Sequence, residues 1–167
     1  MLFLRKVTNR DIDILFHWAN EPSARMNAFH SHQISYEEHR EWFQRMINSS
    51  DQLQYILMCD TVAVGQIRLS VNGNEAEISY GISEPYRKNG YGKAAIRLIK
   101  REVKNEFPYI SKLIAKVKPS NIASIYCFEE NQFEEKYQQY EYSMERYEPD
   151  SGHGKDKEED KISDGGG

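Results

Sequence analysis

Apolar residues recur at steps of three and four in four segments of the chain, which predicts four amphipathic helices. The segments cover 12–20, 36–48, 92–103 and 120–130. Ser35 and Glu38 place a hydroxyl three residues before a carboxylate, the pattern of a capping box at the start of a helix. Thr8 and Asp11 repeat this pattern before the first segment. Residues 20–34 carry two histidines and no core pattern, so we predict a loop over a site.

Six other segments are rich in β-branched, aromatic or alternating apolar residues, which predicts strands. They cover 2–7, 53–59, 62–71, 75–82, 112–118 and 133–147, the last as one or two strands. Asn72-Gly73 is a strong two-residue hairpin signal because both residues tolerate positive φ. The predicted order is one strand, two helices, three antiparallel strands, and then alternating helices and strands.

Charge divides the chain into two parts. Of its 22 basic and 26 acidic residues, 3 and 7 fall in 148–167, so 1–147 is formally neutral and the last twenty residues account for the net charge of −4. That last segment holds five of the ten glycines and one aliphatic residue, too few apolar groups to offset its ordering entropy by burial. We expect one domain at 1–147 and a disordered, acidic, glycine-rich tail at 148–167.

Composition excludes several classes of protein. No apolar run approaches the roughly 20 residues of a membrane span, and charged residues interrupt the N-terminus before a signal-peptide core of about 7–15 residues can form. Two cysteines, Cys59 and Cys127, make no disulfide framework and fit a reducing compartment. A slightly acidic chain has no general electrostatic attraction to nucleic acid. We therefore expect a cytoplasmic protein that binds neither membranes nor nucleic acids.

A cluster of glycines falls between the fourth predicted strand and the third predicted helix. The unpaired N–H groups at a helix start, together with the helix dipole, favour an anion. The segment combines three glycines with three basic residues, namely Gly81, Gly90, Gly92, Arg87, Lys88 and Lys93. A turn that only connects strand to helix is the alternative. A dinucleotide fingerprint is disfavoured because the motif follows an antiparallel meander, and a Walker loop is excluded because no Gly-Lys-Ser/Thr occurs.

Residues 85–92, Pro-Tyr-Arg-Lys-Asn-Gly-Tyr-Gly, resemble the acetyl-CoA motif of the GNAT superfamily of N-acetyltransferases, which is Gln/Arg-x-x-Gly-x-Gly/Ala after the fourth strand. Residues 121–124, Asn-Ile-Ala-Ser, resemble the second signature of the family, in which an asparagine and a helix contact the CoA arm. The resemblance covers 2–147. It implies a GNAT fold of the α/β (α+β) class: a mixed, mostly antiparallel central sheet of six to seven strands, flanked by four helices and splayed between strands 4 and 5.

The resemblance also implies which groups hold acetyl-CoA, the co-substrate. Backbone groups of Tyr80 and Ile82 would hold the pantetheine arm and the acetyl carbonyl. The amides of 87–93 would cradle the pyrophosphate, and such amides can stabilise a tetrahedral oxyanion. The cofactor-binding residues are then Tyr80, Gly81, Ile82, Arg87, Lys88, Asn89, Gly90, Tyr91, Gly92, Lys93, Asn121, Ser124 and Phe128. We expect no metal, because His30-Ser-His32 lacks a third and a fourth ligand at a recognisable spacing.

A narrower resemblance concerns the acceptor. The pattern of residues 18–22, Arg25, Phe29 and 34–43 is similar to that of amino-sugar N-acetyltransferases of the pseudaminic-acid type, which acetylate the 4-amino group of a UDP-linked deoxysugar. Similar short patterns recur in acetyltransferases that act on ribosomal-protein N-termini, so a protein N-terminal amine is the alternative acceptor. The expected acceptor-binding residues are Arg25, Phe29, His30 and His32. We expect a monomer or a homodimer.

Direct acetyl transfer needs a base that takes a proton from the amine and a way to protonate the departing thiolate. Glu77, five residues before Ile82, is the predicted catalytic base, acting through a water; the alternative is that it faces solvent or pairs with Arg68. The tyrosine that often serves as the acid in the family lies seven residues beyond the helix-opening asparagine, and Phe128 occupies that position. The acid is therefore unassigned, and a non-catalytic acyl-CoA-binding module is the alternative from another class.

Overall fold

The computed structural model describes residues 1–149. Five strands within these residues form one sheet, in the order β1-β2-β3-β4-β5. They are β1 (Leu2–Lys6), β2 (Gln52–Cys59), β3 (Val62–Asn72), β4 (Glu75–Ile82) and β5 (Lys112–Ile114). The first four strands are antiparallel to their neighbours, and β4 pairs with β5 in parallel. The mixed, mostly antiparallel sheet predicted from the sequence is confirmed.

Five α-helices lie in the same residues: α1 (Ile12–Ala19), α2 (Pro22–Asn27), α3 (Tyr36–Ile47), α4 (Tyr91–Glu106) and α5 (Ile122–Glu129). The expected number of four is wrong because the predicted loop at 20–34 contains α2. Pro22 opens this helix at its first turn, where the fixed φ of proline suits a helix and its missing N–H leaves no bond unmade.

The expected number of six to seven strands is also wrong. The chain divides into compact units after Glu134, and the part of the second unit within residues 1–149 has one short 3-10 turn and no strand. Tyr140, Tyr142 and Met144 alternate with polar residues, as in a strand, but all three are exposed, and alternation without a buried face does not fix a strand. The proposed domain limit at 147 stays a prediction. The tail at 148–167 falls almost wholly outside the described residues.

The two faces of the sheet differ in polarity. One face packs on α4 and α5 and is apolar from edge to edge, with Ile67, Ile78 and Ile99 buried at its centre. The other face packs on α1 and α3 around Ile56 and Phe43 beneath the first strands, but turns polar along β3 and β4. The apolar face therefore anchors the sheet, and the polar face is free for chemistry.

α3 begins where the sequence predicts. Ser35 N–H donates to Glu38 Oε2 at 2.9 Å and Glu38 N–H donates to Ser35 Oγ at 3.2 Å, so the capping box forms in both directions. His39, one residue later, is buried, and its Nε2 lies 2.8 Å from the Ile12 carbonyl oxygen. Burial lowers the pKa of His39. This histidine joins α3 to α1 and is a packing residue.

Glu21, at the N-cap of α2, joins this helix to the turn after β4. Its carboxylate is 7% exposed. Three groups donate to it: Ser83 Oγ at 3.0 Å, Glu84 N–H at 3.2 Å and Arg87 Nη2 at 2.7 Å. Arg87 Nε also donates to the Ile82 carbonyl oxygen at 2.9 Å, so one guanidinium ties the end of β4 to α2.

We expect Glu21→Ala to lower the free energy of unfolding by about 2–4 kcal/mol, because Arg87 and two other donors lose their acceptor. The effect is smaller than for a fully buried pair because the Arg87 side chain is 33% exposed. Glu75→Ala is the control, since its ion pair with Lys112 is 39% and 63% exposed and such pairs contribute about 0–1 kcal/mol. Urea unfolding measures both, and equal losses would contradict the role of Glu21.

Candidate active site

β4 continues for five residues beyond its pairing with β5, which covers only Glu75–Glu77. Just after β4, Ser83 N–H donates to the Val64 carbonyl oxygen at 3.0 Å. Because backbone groups alternate in direction along an antiparallel strand, those of Tyr80 and Ile82 point away from β3. They face the side on which β5 has ended. This is the expected splay between strands 4 and 5.

The turn after β4 enters α4 through Gly90. This N-cap residue has a φ of 78°, in the left-handed region that glycine adopts without steric cost. The N–H groups of Tyr91, Gly92 and Lys93 have no acceptor inside the helix, and they lie at the positive end of the dipole of this 16-residue helix. A Cβ on Gly90 would meet no atom of the described residues within 4 Å. Open space therefore lies beside amides that suit a phosphate.

Two of the three basic side chains expected at this turn are paired with carboxylates. Arg87 binds Glu21, and Lys93 binds Glu130. Lys88 is exposed, and within residues 1–149 it makes no ion pair or hydrogen bond. The attraction for an anion therefore comes mainly from backbone N–H groups and the α4 dipole, with Lys88 as the available cation of the three.

Asn89 and Gly81 shape the backbone beside this turn. Asn89 Nδ2 donates to the carbonyl oxygens of Tyr86 and Arg87, both at 3.0 Å. Gly81 lies opposite Gln66 of β3, and a Cβ there would come within 3.3 Å of Gln66 Nε2. Both residues act on the course of the chain and add no charge.

The ring of Tyr80 packs across the start of α4 and against α5. A Cβ on Gly92 would lie 2.9 Å from Tyr80 Cε2, so glycine is required for this close approach. The Tyr80 hydroxyl interacts with the side chains of Ser124 and Cys127, and burial raises the pKa of Tyr80 far above its ordinary value. Phe128 is buried, with its ring centroid 5.8 Å from that of Tyr80. Phe128 therefore packs in the core at the position where an acid is usual.

Asn121, which opens the second signature, caps α5. Its Oδ1 accepts from Ser124 N–H at 3.3 Å and satisfies one of the free amides at the helix start. This local role accounts for an asparagine at the position. Contact of Asn121 and Ser124 with CoA stays a prediction.

Glu77 lies at the last residue of β4 that pairs with β5, on the polar face of the sheet. Its carboxylate is 44% exposed and 3.3 Å from Lys116 Nζ. Arg68, the partner considered from the sequence, lies diagonally across on β3, because Ser70 is the residue directly opposite Glu77. The predicted base is therefore accessible, at the point where the two strands diverge, and its close partner is Lys116.

Two contacts hold the segment 20–34. Asn20 Nδ2 donates to the Ile34 carbonyl oxygen at 2.9 Å, and Ile34 N–H donates to Asn20 Oδ1 at 2.8 Å. Lys118, in the chain that leaves β5, donates to the Met26 carbonyl oxygen at 3.0 Å. The segment is thereby closed on itself and tied to the chain beyond the splay.

The residues expected to bind the acceptor lie in this segment, but they do not share one role. Arg25 Nη1 donates to the carbonyl oxygens of His30 and His32, at 3.1 and 3.3 Å. Burial lowers the pKa of Arg25. The side chains of Phe29, His30 and His32 are exposed. Arg25 therefore shapes the loop, and the other three residues are free to meet an acceptor.

Sequence reasoning missed Glu21, Asn20 and Lys116, each of which positions an expected site residue or segment. Glu-Pro at 21–22 is compatible with a helix start, but it gives no sign of the partner of Glu21. Arg87 is 66 residues away, and local patterns carry no information about a pair so distant.

The comparisons with known proteins agree with this geometry. The sequence model of the acetyltransferase (GNAT) domain family matches residues 1–134. No curated protein matches the sequence.

Solved structures share the fold. A domain from Methanocaldococcus jannaschii DSM 2661 is 22% identical, with a TM-score of 0.74 over 84% of this chain and 93% of that chain. The aminoglycoside acetyltransferase AAC(6')-Ib, in complex with coenzyme A, is 19% identical, with a TM-score of 0.71 over 81% and 86%. Spermidine N-acetyltransferase from Vibrio cholerae, in complex with CoA and spermine, is 17% identical, with a TM-score of 0.70 over 77% and 78%.

Two further observations concern residues 1–149. None of their helices combines the length and the apolar character needed to cross a membrane. Nor do they bring three or more histidine, cysteine or acidic residues together as a metal site.

The family match covers most of the chain, and the site has the open strand and the helix start that the acetyl-CoA motif implies. The chain belongs to the GNAT family of acetyltransferases, which use acetyl-CoA as the acetyl donor.

Proposed function

We propose that this acetyltransferase moves the acetyl group of acetyl-CoA to the primary amine of a nucleotide-linked amino sugar in the cytoplasm. The observation that carries the proposal is that groups suited to the donor and a carboxylate suited to act as a base both lie where β4 and β5 diverge. The backbone groups of Tyr80, the N–H of Ile82 and the open amides of α4 suit the donor, whereas the Ile82 carbonyl oxygen already accepts from Arg87. Glu77 faces the polar side of the sheet. The donor would lie along the open edge of β4, and the acceptor would reach it from the polar face.

In the proposed reaction, the amine nitrogen attacks the thioester carbon, a tetrahedral intermediate forms, and the C–S bond breaks to release CoA thiolate. The backbone N–H of Ile82, which points away from β3, would stabilise the oxyanion. The amine would lie beside Tyr80, where the thioester is held. Tyr80 is three residues from Glu77, about 10 Å along an extended strand, so Glu77 would take the amine proton through water. A thiol has a pKa of about 8.5, so the released thiolate can take a proton from solvent or from the substrate ammonium.

The acceptor is inferred from residues 18–43, which run from α1 into α3. The pattern at 18–43 is similar to that of amino-sugar acetyltransferases, and it includes the loop that presents Phe29, His30 and His32. The solved structures of AAC(6')-Ib and of spermidine N-acetyltransferase hold kanamycin and spermine, respectively, together with CoA. Both molecules are small amines, which favours a small molecule over a protein N-terminus as the acceptor.

Release of the CoA thiol from acetyl-CoA tests the acceptor class. We expect release to depend on UDP-linked amino sugars more than on N-terminal peptides, spermidine or kanamycin, because the resemblance at 18–43 is to enzymes of nucleotide sugars. Preferred turnover of peptides would support the protein N-terminal alternative. Tight CoA binding with no turnover of any amine would support a binding module, which the buried Phe128 makes a specific alternative.

We expect Gly90→Asp to abolish CoA binding, because aspartate would bring negative charge beside amides that receive phosphate. Gly73→Asp is the matched control: Gly73 has a φ of 61°, its Cβ position is equally open, and it lies in the turn between β3 and β4. The two variants impose similar backbone strain at different places. Calorimetry with CoA separates them, and equal affinities would remove the phosphate role from Gly90.

We expect Glu77→Gln to lower kcat about 100-fold or more, the contribution typical of a general base, with little change in the Kd of CoA. Glu75→Gln is the control, because Glu75 lies two residues away on the same face in a similarly exposed ion pair. The base role also requires the acidic limb of the pH–rate profile to change in Glu77→Gln. An unaltered profile would count against it.

A further inference from the structure

Polar residues line the sheet face beside Glu77. They come from the two central strands, and we call them the polar strip: Gln66, Arg68 and Ser70 of β3, with Glu77, Ser79 and Gly81 of β4. Ser79 is exposed at the middle of the strip, directly opposite Arg68. The strip is therefore open to a molecule that approaches Glu77 from the side of α3.

We propose that Arg68 binds an oxyanion of the acceptor, a phosphate or a carboxylate, and thereby selects amines that carry negative charge. This inference rests on the proposed function, because it assigns the acceptor class of the same site. It concerns a residue outside the loop at 20–34, to which the acceptor was first assigned.

Arg68 is held in place by an aromatic ring. Its guanidinium carbon lies 5.6 Å from the ring centroid of Trp42 on α3, within the range of a cation–π contact. A cation–π contact restrains the position of a guanidinium and leaves its N–H groups free, and two of them can bind one oxyanion in parallel. The contact with Trp42 thus holds Arg68 in place before a ligand binds.

The guanidinium has no anion of its own. Within residues 1–149, Arg68 makes no hydrogen bond or ion pair through its side chain. The charge of Glu77 acts on it from a distance, and the Glu77 carboxylate itself lies beside Lys116. Burial lowers the pKa of Arg68, which reflects a cation that has lost part of its hydration. A desolvated charge without a partner is costly and is usually balanced by a counter-charge. A ligand oxyanion would supply that charge.

A second orphan group lies beside Arg68. Gln54 is the cross-strand neighbour of Arg68 on β2, is 7% exposed, and donates through Nε2 to Gln66 Oε1 at 3.0 Å. Its own Oε1 is buried and makes no hydrogen bond in the described part of the chain. A buried hydrogen-bond acceptor without a donor is rare in a folded protein. One N–H of Arg68 can turn to this oxygen when a ligand takes the others, which would orient the fork.

On the polar strip, the proposed anion-binding residue Arg68 lies next to the predicted base Glu77. Arg68 and Glu77 are diagonal neighbours on adjacent strands, about 7–8 Å apart at their backbones. An amine whose proton reaches Glu77 through water and an oxyanion on Arg68 can therefore belong to one small molecule. A phosphate of a nucleotide sugar fits this requirement, whereas a polyamine would meet a repelling cation.

Three sugars that differ only at C6 test the proposal: glucosamine, glucosamine 6-phosphate and glucosaminuronic acid. Calorimetry with the CoA-loaded protein measures their binding without any transfer step. We expect one or both anionic sugars to bind about 10–100-fold more tightly than glucosamine, as for a hydrogen bond to a charged group. The phosphate and carboxylate arms distinguish the two sources of the oxyanion.

Arg68→Gln should abolish this preference, Arg68→Lys should retain part of it, and Arg97→Gln, on the exposed side of α4, should leave it intact. Equal binding of all three sugars by the unmodified protein, or no binding of either anionic sugar at millimolar concentration, overturns the proposal. So does a preference that survives in folded Arg68→Gln. The result for the unmodified protein decides the matter even where that variant does not fold. Absence of acetyl transfer to any amine contradicts the proposed function and leaves the binding result standing.

Discussion

The divergence of β4 from β5 is the constraint on which the rest of the structure depends. A sheet normally pairs the backbone groups of its strands, and a buried group left unpaired costs about 1–3 kcal/mol. Here β4 runs to Ile82 although its pairing with β5 ends at Glu77. Side chains on both sides of the strand hold it there: Tyr80 packs against α4 and α5, and Arg87 ties the Ile82 carbonyl oxygen to Glu21. The open backbone suits an extended acyl-CoA arm.

At the start of α4, charged side chains are not the main groups available to attract an anion. At the start of α4 the sequence concentrates three cations, yet two of them are neutralised by carboxylates and only Lys88 is left without one in the described residues. Backbone N–H groups and the helix dipole remain, and these hold a fixed direction that flexible lysines lack. On the polar strip a side chain supplies the positive charge instead, because Arg68 makes no hydrogen bond or ion pair through its side chain in the described residues and Glu77 acts on it only from a distance. The donor and the proposed acceptor oxyanion thus meet different kinds of positive potential.

Much of the fold followed from local patterns. The period of apolar residues located four of the five helices and all five strands, because one buried face imposes its period on the sequence. The acetyl-CoA motif was recognisable because its glycines meet backbone requirements that few other residues satisfy, a left-handed φ at Gly90 and close approach to Tyr80 at Gly92. The errors arose where no buried face imposes a period. α2 is a single short helix opened by proline, and Tyr140, Tyr142 and Met144 alternate with polar residues although all three are exposed.

The sequence by itself determined the family, the sheet of mixed direction and the glycine-rich turn that opens α4, because these depend on residues adjacent in the chain. Only the tertiary structure decided what the site's side chains do. It turned Arg87 toward Glu21, buried Phe128 in the core, paired Glu77 with Lys116 and brought Arg68 within cation–π distance of Trp42. Each of these outcomes depends on which distant residues the fold brings within a few ångströms. Local periodicity and propensity carry no information about such pairs.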